Sequence, residues 1–246
     1  MSHIIECDRV WKRYNHSPLG IKDLLVGKKY ILEDNYSRNW ALQDISFKIE
    51  KGISMGIVGP NGTGKSTLLS LLLGTIRPDQ GKISCKASIG SLIELGAGFH
   101  PELTGRENIY LYASILGMTL YETKKKLNSI IEFSELTNAI DNPIRTYSNG
   151  MITRLGFSVV IHTSSDVLLI DEVLAVGDKR FQKKCIEYLS EFKRRNGTLI
   201  IVSHEMQVLS DICDIGICID MGKVYYQGSM DKVILYYDQL LKTKDS

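Results

Sequence analysis

The stretch Gly59-Pro60-Asn61-Gly62-Thr63-Gly64-Lys65-Ser66-Thr67 limits what this chain can fold into more than any other feature. It fits the pattern G-x-x-x-x-G-K-S/T, with an apolar run, Ile53 to Val58, before it and an apolar helix, Ser66 to Leu73, after it. Upstream, Ile45, Phe47 and Ile49 alternate with Ser46, Lys48 and Glu50, which predicts a half-buried strand, and Lys51-Gly52 turns the chain into the apolar run. The order is strand, loop, helix, the opening of a parallel α/β unit. With no Cβ atoms in the way, the backbone N–H groups of such a loop turn inward around the β- and γ-phosphates of a nucleotide. The helix aims its positive end at the same phosphates. Lys65 reaches their oxygens, and Ser66 offers a hydroxyl ligand to Mg²⁺.

Farther along, Val167-Leu168-Leu169-Ile170-Asp171-Glu172 reads as a buried strand that delivers two carboxylates at its C-terminal end, where an α/β sheet exposes its ligands. Asp171 is placed to hold Mg²⁺ through water, and Glu172 to orient or deprotonate an attacking water. His204 lies at the tip of the next strand, Leu199 to Ser203, which suits contact with a γ-phosphate; His3, His16, His100 and His162 have no such setting. Tyr147-Ser148-Asn149-Gly150-Met151 precedes a helix, Ile152 to Ile161. Serine and small residues at a helix start make a second anion cradle, although alone they would be a cap. Thr104 and Glu107 form a capping box opening a helix that closes at Gly117, and Thr119 and Glu122 form another, so residues from about 100 to 160 read as mostly helical. A further helix, Lys179 to Arg195, carries Phe181, Cys185, Leu189 and Phe192 on one face and ends at Asn196-Gly197. A nucleotide-type α/β core is thus interrupted by a helical lobe.

At 246 residues the chain suits one domain with a substantial insertion. No window approaches the roughly 18 consecutive apolar residues a membrane helix needs; the densest run, Leu68 to Leu73, is broken by Ser70. Glu6, Asp8 and Arg9 interrupt the start, so no secretory signal is expected and the chain is placed in the cytosol. The five cysteines, Cys7, Cys85, Cys185, Cys213 and Cys218, never form a C-x-x-C pair and read as buried free thiols. A net charge of +2 gives no argument for nucleic acid. The segment from Arg9 to Arg38 is nonetheless basic, either a solvated face or a surface near anionic lipid headgroups.

In this order the motifs resemble those of ABC-transporter nucleotide-binding domains, along the whole chain except residues 15–39. Ser148-Asn149-Gly150-Met151 is similar to a degenerate L-S-G-G-Q signature, Ala175-Val176-Gly177-Asp178 to the D-loop, and His204 to the switch histidine. Leu95-Gly96-Ala97-Gly98-Phe99-His100-Pro101-Glu102-Leu103-Thr104-Gly105-Arg106-Glu107-Asn108 further resembles the subfamily that exports O-antigen, capsule and teichoic acid, and the extended stretch before Trp40-Ala41-Leu42 fits the O-antigen branch. Two positions depart from the pattern. Glu94 or Leu95 stands at the Q-loop glutamine, Glu94 retaining an oxygen for Mg²⁺. Asn149 replaces a signature glycine, asparagine being the substitute best tolerated at positive φ. The aromatic that stacks on adenine is Tyr14 or Tyr36, with Trp40 third.

The resemblance implies an α/β fold: a P-loop NTPase (RecA-like) core, about 1–95 and 160–246, with an antiparallel β subdomain, an inserted α-helical signature subdomain, about 96–159, and an N-terminal insertion at 15–39. It implies ATP and Mg²⁺ as cofactors and a homodimer in which Ser148 to Met151 of one copy close over the ATP held by the other. It also implies an integral-membrane permease in a two-plus-two complex that handles a lipid-linked polysaccharide, with this chain peripheral on the cytoplasmic face of the inner membrane. Rival readings are a solute-importer ATPase and a soluble ABC ATPase acting on DNA or ribosomes, which usually carries coiled-coil insertions or tandem domains. Segment 15–39 is expected against the permease. The hairpin around Asp220 to Lys223, then Gln227-Gly228 and a helix, Ser229 to Leu241, leave no length for a terminal-cap-binding sandwich of about 100 residues, so cap recognition is not expected on this chain.

Overall fold

The apolar runs become strands buried on both faces. A computed structural model describes residues 3–14, 40–93, 95–171 and 177–244. Segment 15–39 with Tyr36, Glu94, and residues 172–176 with Glu172 lie outside the described residues.

β1 (His3–Arg13) and β2 (Trp40–Glu50) lead to β3 (Met55–Val58), the glycine-rich loop and helix α1 (Lys65–Leu73). β4 (Gln80–Cys85) and β5 (Ile89–Ser91) follow, then three helices, α2 (Gly105–Ile115), α3 (Leu120–Ser134) and α4 (Asn149–Ile161). The chain returns through β6 (Val167–Asp171), α5 (Lys179–Arg194), β7 (Thr198–Val202) and α6 (Met206–Ile212), and finishes with β8 (Ile215–Asp220), β9 (Lys223–Ser229) and α7 (Met230–Lys244). One sheet runs β5-β6-β7-β3-β8-β9, parallel except for the β8–β9 hairpin; the other is antiparallel, β2-β1-β4.

Alternation along the parallel strands feeds two cores. Leu168 and Ile170 of β6 and Leu199 and Ile201 of β7 point into the layer shared with α4, α5 and α7. Their neighbours Val167, Leu169, Ile200 and Val202 point the other way, toward α1 and the antiparallel sheet. Such strands read as continuous apolar runs because neither face meets water. Each fully buried Leu, Ile or Val contributes about 1.5–3 kcal/mol relative to exposure. In the first core Phe133 stacks on Phe157 at 6.0 Å and meets Phe181 edge-on at 5.9 Å. In the second, Ile45, Phe47 and Ile49 of β2 are buried as their alternation predicts.

Local signals were accurate where they closed on themselves. Both capping boxes form at Thr104/Glu107 and Thr119/Glu122. The hairpin turn at Met221 (φ 44°) and Gly222 (φ 75°) takes positive φ at both central residues, the twist that suits a two-residue β-turn. Gly222 O also accepts from Gln43 N at 2.7 Å, tying the hairpin to β2. All five cysteines are free; four are buried, while Cys85 is only half-buried. Burial pushes the Cys7, Cys185 and Cys213 thiols up to about 12, so they behave as small apolar groups.

One local expectation fails. Helix α4 starts at Asn149 rather than Ile152, and Asn149 does not take positive φ. Ser148, extended at φ −71°, ψ 160°, accepts from Met151 N at 3.2 Å and caps the helix. That cap makes Asn149 and Gly150 ordinary first-turn residues, so no left-handed position exists for an asparagine to fill.

Candidate functional site

The C-terminal ends of β3, β7 and β6 are adjacent in the sheet. Asp171 is in register with Val202, and Val202 with Ile57. One row of backbone therefore brings together the end of β6 at Asp171, the start of the glycine-rich loop, and the exit of β7 toward His204. Parallel strands expose their ligands at this edge.

From Val58 the loop turns over the edge through Gly59 to Gly64. Gly62 (φ 77°) and Gly64 (φ 102°) occupy left-handed backbone, and a Cβ on Gly64 would collide with Ala41 O, so α1 begins against β2 on a residue without a side chain. Thr63, 7 % exposed, donates its hydroxyl to Pro60 O at 2.8 Å. Lys65, equally buried, donates its ammonium to Gly59 O at 2.7 Å and Pro60 O at 3.0 Å. The cation is therefore held inside the loop it follows in sequence. Asn61, Gly62 and Ser66 are exposed.

Two aromatics flank this loop differently. Tyr14, 44 % exposed, donates its hydroxyl to Thr67 Oγ1 at 3.4 Å, at the first turn of α1. Trp40 packs edge-on against Trp11, with centroids 5.2 Å apart, beneath the Arg13 guanidinium at 5.3 Å. Of the two described candidates, Tyr14 lies at the loop and Trp40 is engaged by its own sheet. His204 is exposed two residues beyond β7, just after buried Ser203, whose Oγ accepts from Glu205 N at 3.0 Å.

Ser148 and Asn149 are solvent-exposed at the start of α4. A Cβ on Gly150 would meet only Ser148 Oγ, at 3.8 Å, so little protein covers the turn. Asp178 caps α5, accepting from Phe181 N at 2.9 Å, and that backbone donor holds its carboxyl below the usual carboxylate range. Leu95 and Gly96 lie against α4: a Cβ on Gly156 would come within 3.0 Å of Gly96 N and 3.2 Å of Leu95 Cβ.

Sequence reasoning gave Asn108 no task. It is fully buried; its Oδ1 accepts from His100 N at 2.7 Å, and its Nδ2 donates to the carbonyls of His100, Leu103 and Thr104 at 2.9–3.0 Å. One amide thus satisfies both sides of a tight turn. The legible signal was a lone asparagine among the apolar positions of α2. Among the described residues no helix is long and apolar enough to cross a membrane.

Comparison with known proteins agrees with this fold. A family described as ABC transporter matches residues 42–175. An O-antigen export system ATP-binding protein, RfbB, of Klebsiella pneumoniae is 44 % identical over 245 residues, covering 98 % of this chain and all of that protein. A teichoic acids export ATP-binding protein, TagH, of Listeria monocytogenes is 41 % identical over 203 residues, covering 82 % of this chain and 60 % of the relative. Among solved structures, a dimeric ATP-binding cassette in a post-hydrolysis state with ADP and Pi superposes with a TM-score of 0.73 at 19 % identity, covering 92 % of this chain and 98 % of the other.

Proposed function

Because the chain belongs to the ABC transporter family, we propose that it is the ATP-binding and hydrolysing subunit of an exporter that moves a lipid-linked cell-envelope polysaccharide across the inner membrane. The observation that carries this reading is the 44 % identity to an O-antigen export ATP-binding protein along 98 % of the chain. Teichoic-acid export is the neighbouring alternative, since the TagH relative matches at 41 % over a shorter span.

In this reading the glycine-rich loop from Gly59 to Thr67 cradles the ATP phosphates, with Lys65 neutralising their charge. Tyr14 stacks on adenine, an assignment supported by its hydroxyl at Thr67. Ser66 and Asp171 offer only hard oxygen donors at the same sheet edge, the donor type Mg²⁺ takes when it arrives with a nucleotide. Mg²⁺ bound there would draw charge from the phosphates. Glu172 orients the attacking water, Glu94 stands in for the Q-loop glutamine, and His204 contacts the γ-phosphate. A permease supplies the membrane path, with this chain peripheral on its cytoplasmic face. Segment 15–39 is assigned to the permease side.

Export is tested in cells whose own ATPase gene for this polymer has been deleted. Supplying this chain should return the lipid-linked polymer to the surface, while the Lys65→Ala form leaves it inside. Surface polymer restored by Lys65→Ala as well would remove ATP use from the reading.

Two copies are proposed to share each ATP, with Ser148 to Met151 of one closing over the loop of the other. The exposed, capped start of α4 supports this, since it leaves a helix N-terminus open to an anion. Mixing a Lys65→Ala subunit with a Ser148→Arg subunit should restore part of the ATPase activity, because one of the two sites then has both halves intact. No recovery over either variant alone would count against the shared site.

A further inference from the structure

The segment Thr104 to Asn108 is built as a clasp on the chain leading into Ser148. Each first-turn N–H of α2 has a partner. Gly105 N donates to Asn142 O at 3.1 Å and Arg106 N to Ile140 O at 2.9 Å, while Glu107 N reaches the cap at Thr104 Oγ1. The helix N-terminus is thereby spent on residues 140–142 rather than on solvent. Coming back, Ile144 N donates to Leu103 O and Arg145 N to Pro101 O, at 2.9 and 3.0 Å, and Arg106 forks onto both oxygens of Asp141 at 2.7 and 3.2 Å.

The last residue before Ser148 closes the arrangement. Tyr147 is 8 % exposed and donates its hydroxyl to Ala139 O at 2.6 Å, spanning the base of the loop whose end carries Ser148. Position 105 must be glycine for this to fit, because a Cβ there would collide with the Tyr147 hydroxyl and lie 3.0 Å from Ile140 O.

We infer that Tyr147, seated against Gly105, is a positioning residue that fixes Ser148 at the start of α4 for the second copy's nucleotide. This rests on reading Ser148 as acting in trans. Tyr147 touches no nucleotide in that arrangement. It sets where the cap of α4 stands, and so governs the step that needs two copies while leaving the one-copy step alone.

The test separates those steps. Tyr147→Phe keeps the buried ring and removes the hydrogen bond to Ala139. It should lower kcat about fivefold, the scale of one lost buried hydrogen bond. The affinity of the subunit for a fluorescent ATP analogue should stay unchanged. Gly105→Ala should lower kcat similarly by evicting the hydroxyl, and Tyr147→Phe combined with Gly105→Ala should cost less than the two effects multiplied, because the hydroxyl the new methyl meets is gone. Ser148→Arg is the control. If it abolishes turnover while Tyr147→Phe keeps full kcat, the positioning role is overturned and the trans reading stands. If Ser148→Arg turns over normally, the trans reading falls and takes this inference with it. Loss of nucleotide affinity in Tyr147→Phe in proportion to kcat, or strictly multiplicative effects in the double variant, would reduce Tyr147 to general packing.

Discussion

Lys65→Ala is expected to abolish nucleotide binding. The ammonium lies within the loop, 7 % exposed, and spans 2.7 Å to Gly59 O and 3.0 Å to Pro60 O. Alanine removes two things together. The first is the cation that, in the proposed reading, faces the phosphates, where charge-assisted hydrogen bonds are each worth about 1.5–3 kcal/mol. Two of them correspond to at least about a hundredfold in Kd. The second is the cross-brace that holds two loop carbonyls toward one point, so the cradle loses its shape as well as its charge. Lys65→Arg should not rescue, because a planar guanidinium does not replace a compact ammonium between two carbonyls. Titration with a fluorescent ATP analogue reads the effect, and circular dichroism checks that the fold survives. Near-normal affinity in a folded variant would remove Lys65 from the phosphate site.

The parts of this fold legible in the sequence are those whose cause is local. β6 and β7 were visible because both faces are dry, which leaves no polar residue to interrupt Val167 to Ile170 or Leu199 to Val202. The loop at Gly59 to Thr67 was visible because its backbone admits so few residues. The caps of α2 and α3 each lie within four residues of chain. β1 and β4 were not legible. β1 changes register around Arg9, whose φ is 46°, and β4 is a short, half-exposed strand of mixed residues, so neither carries a clean period of two. The start of α4 was placed three residues late because Asn149-Gly150 reads as a turn even beside a serine that can cap, whereas Ser148 Oγ accepts from Met151 N and both residues belong to the first turn. Asn108, Gly105 and Tyr147 escaped for other reasons. Gly105 and Tyr147 meet across α2 and residues 139–147, so no window on either segment contains both. The partners of Asn108 lie within eight residues, but they are backbone groups of a turn that leaves no periodic trace.

Glu172→Gln should have the opposite effect to Lys65→Ala: ATP still binds, but it is not turned over. Asp171 is the last residue of β6, at the edge shared with the glycine-rich loop and the exit to His204, and Glu172 is the next residue in sequence. Glutamine keeps the size and one carbonyl acceptor of glutamate, so a water could still be held. It removes the negative charge and the basicity needed to take that water's proton as the bond to phosphorus forms. General-base catalysis contributes about 10²–10⁴-fold, so phosphate release should slow by that order while affinity for the fluorescent analogue stays near wild type. ATP that binds and is not cleaved keeps favouring the closed pair, because the ligand prefers that state and hydrolysis no longer withdraws it. A dimer should therefore accumulate with ATP in light scattering behind a sizing column and disappear with ADP. The dimer should also require Ser148, since in the shared-site reading the trapped nucleotide is held from both copies. Wild-type phosphate release by Glu172→Gln would take the water-orienting task from Glu172, and a monomer under saturating ATP would leave the slow variant without the closure it is meant to arrest.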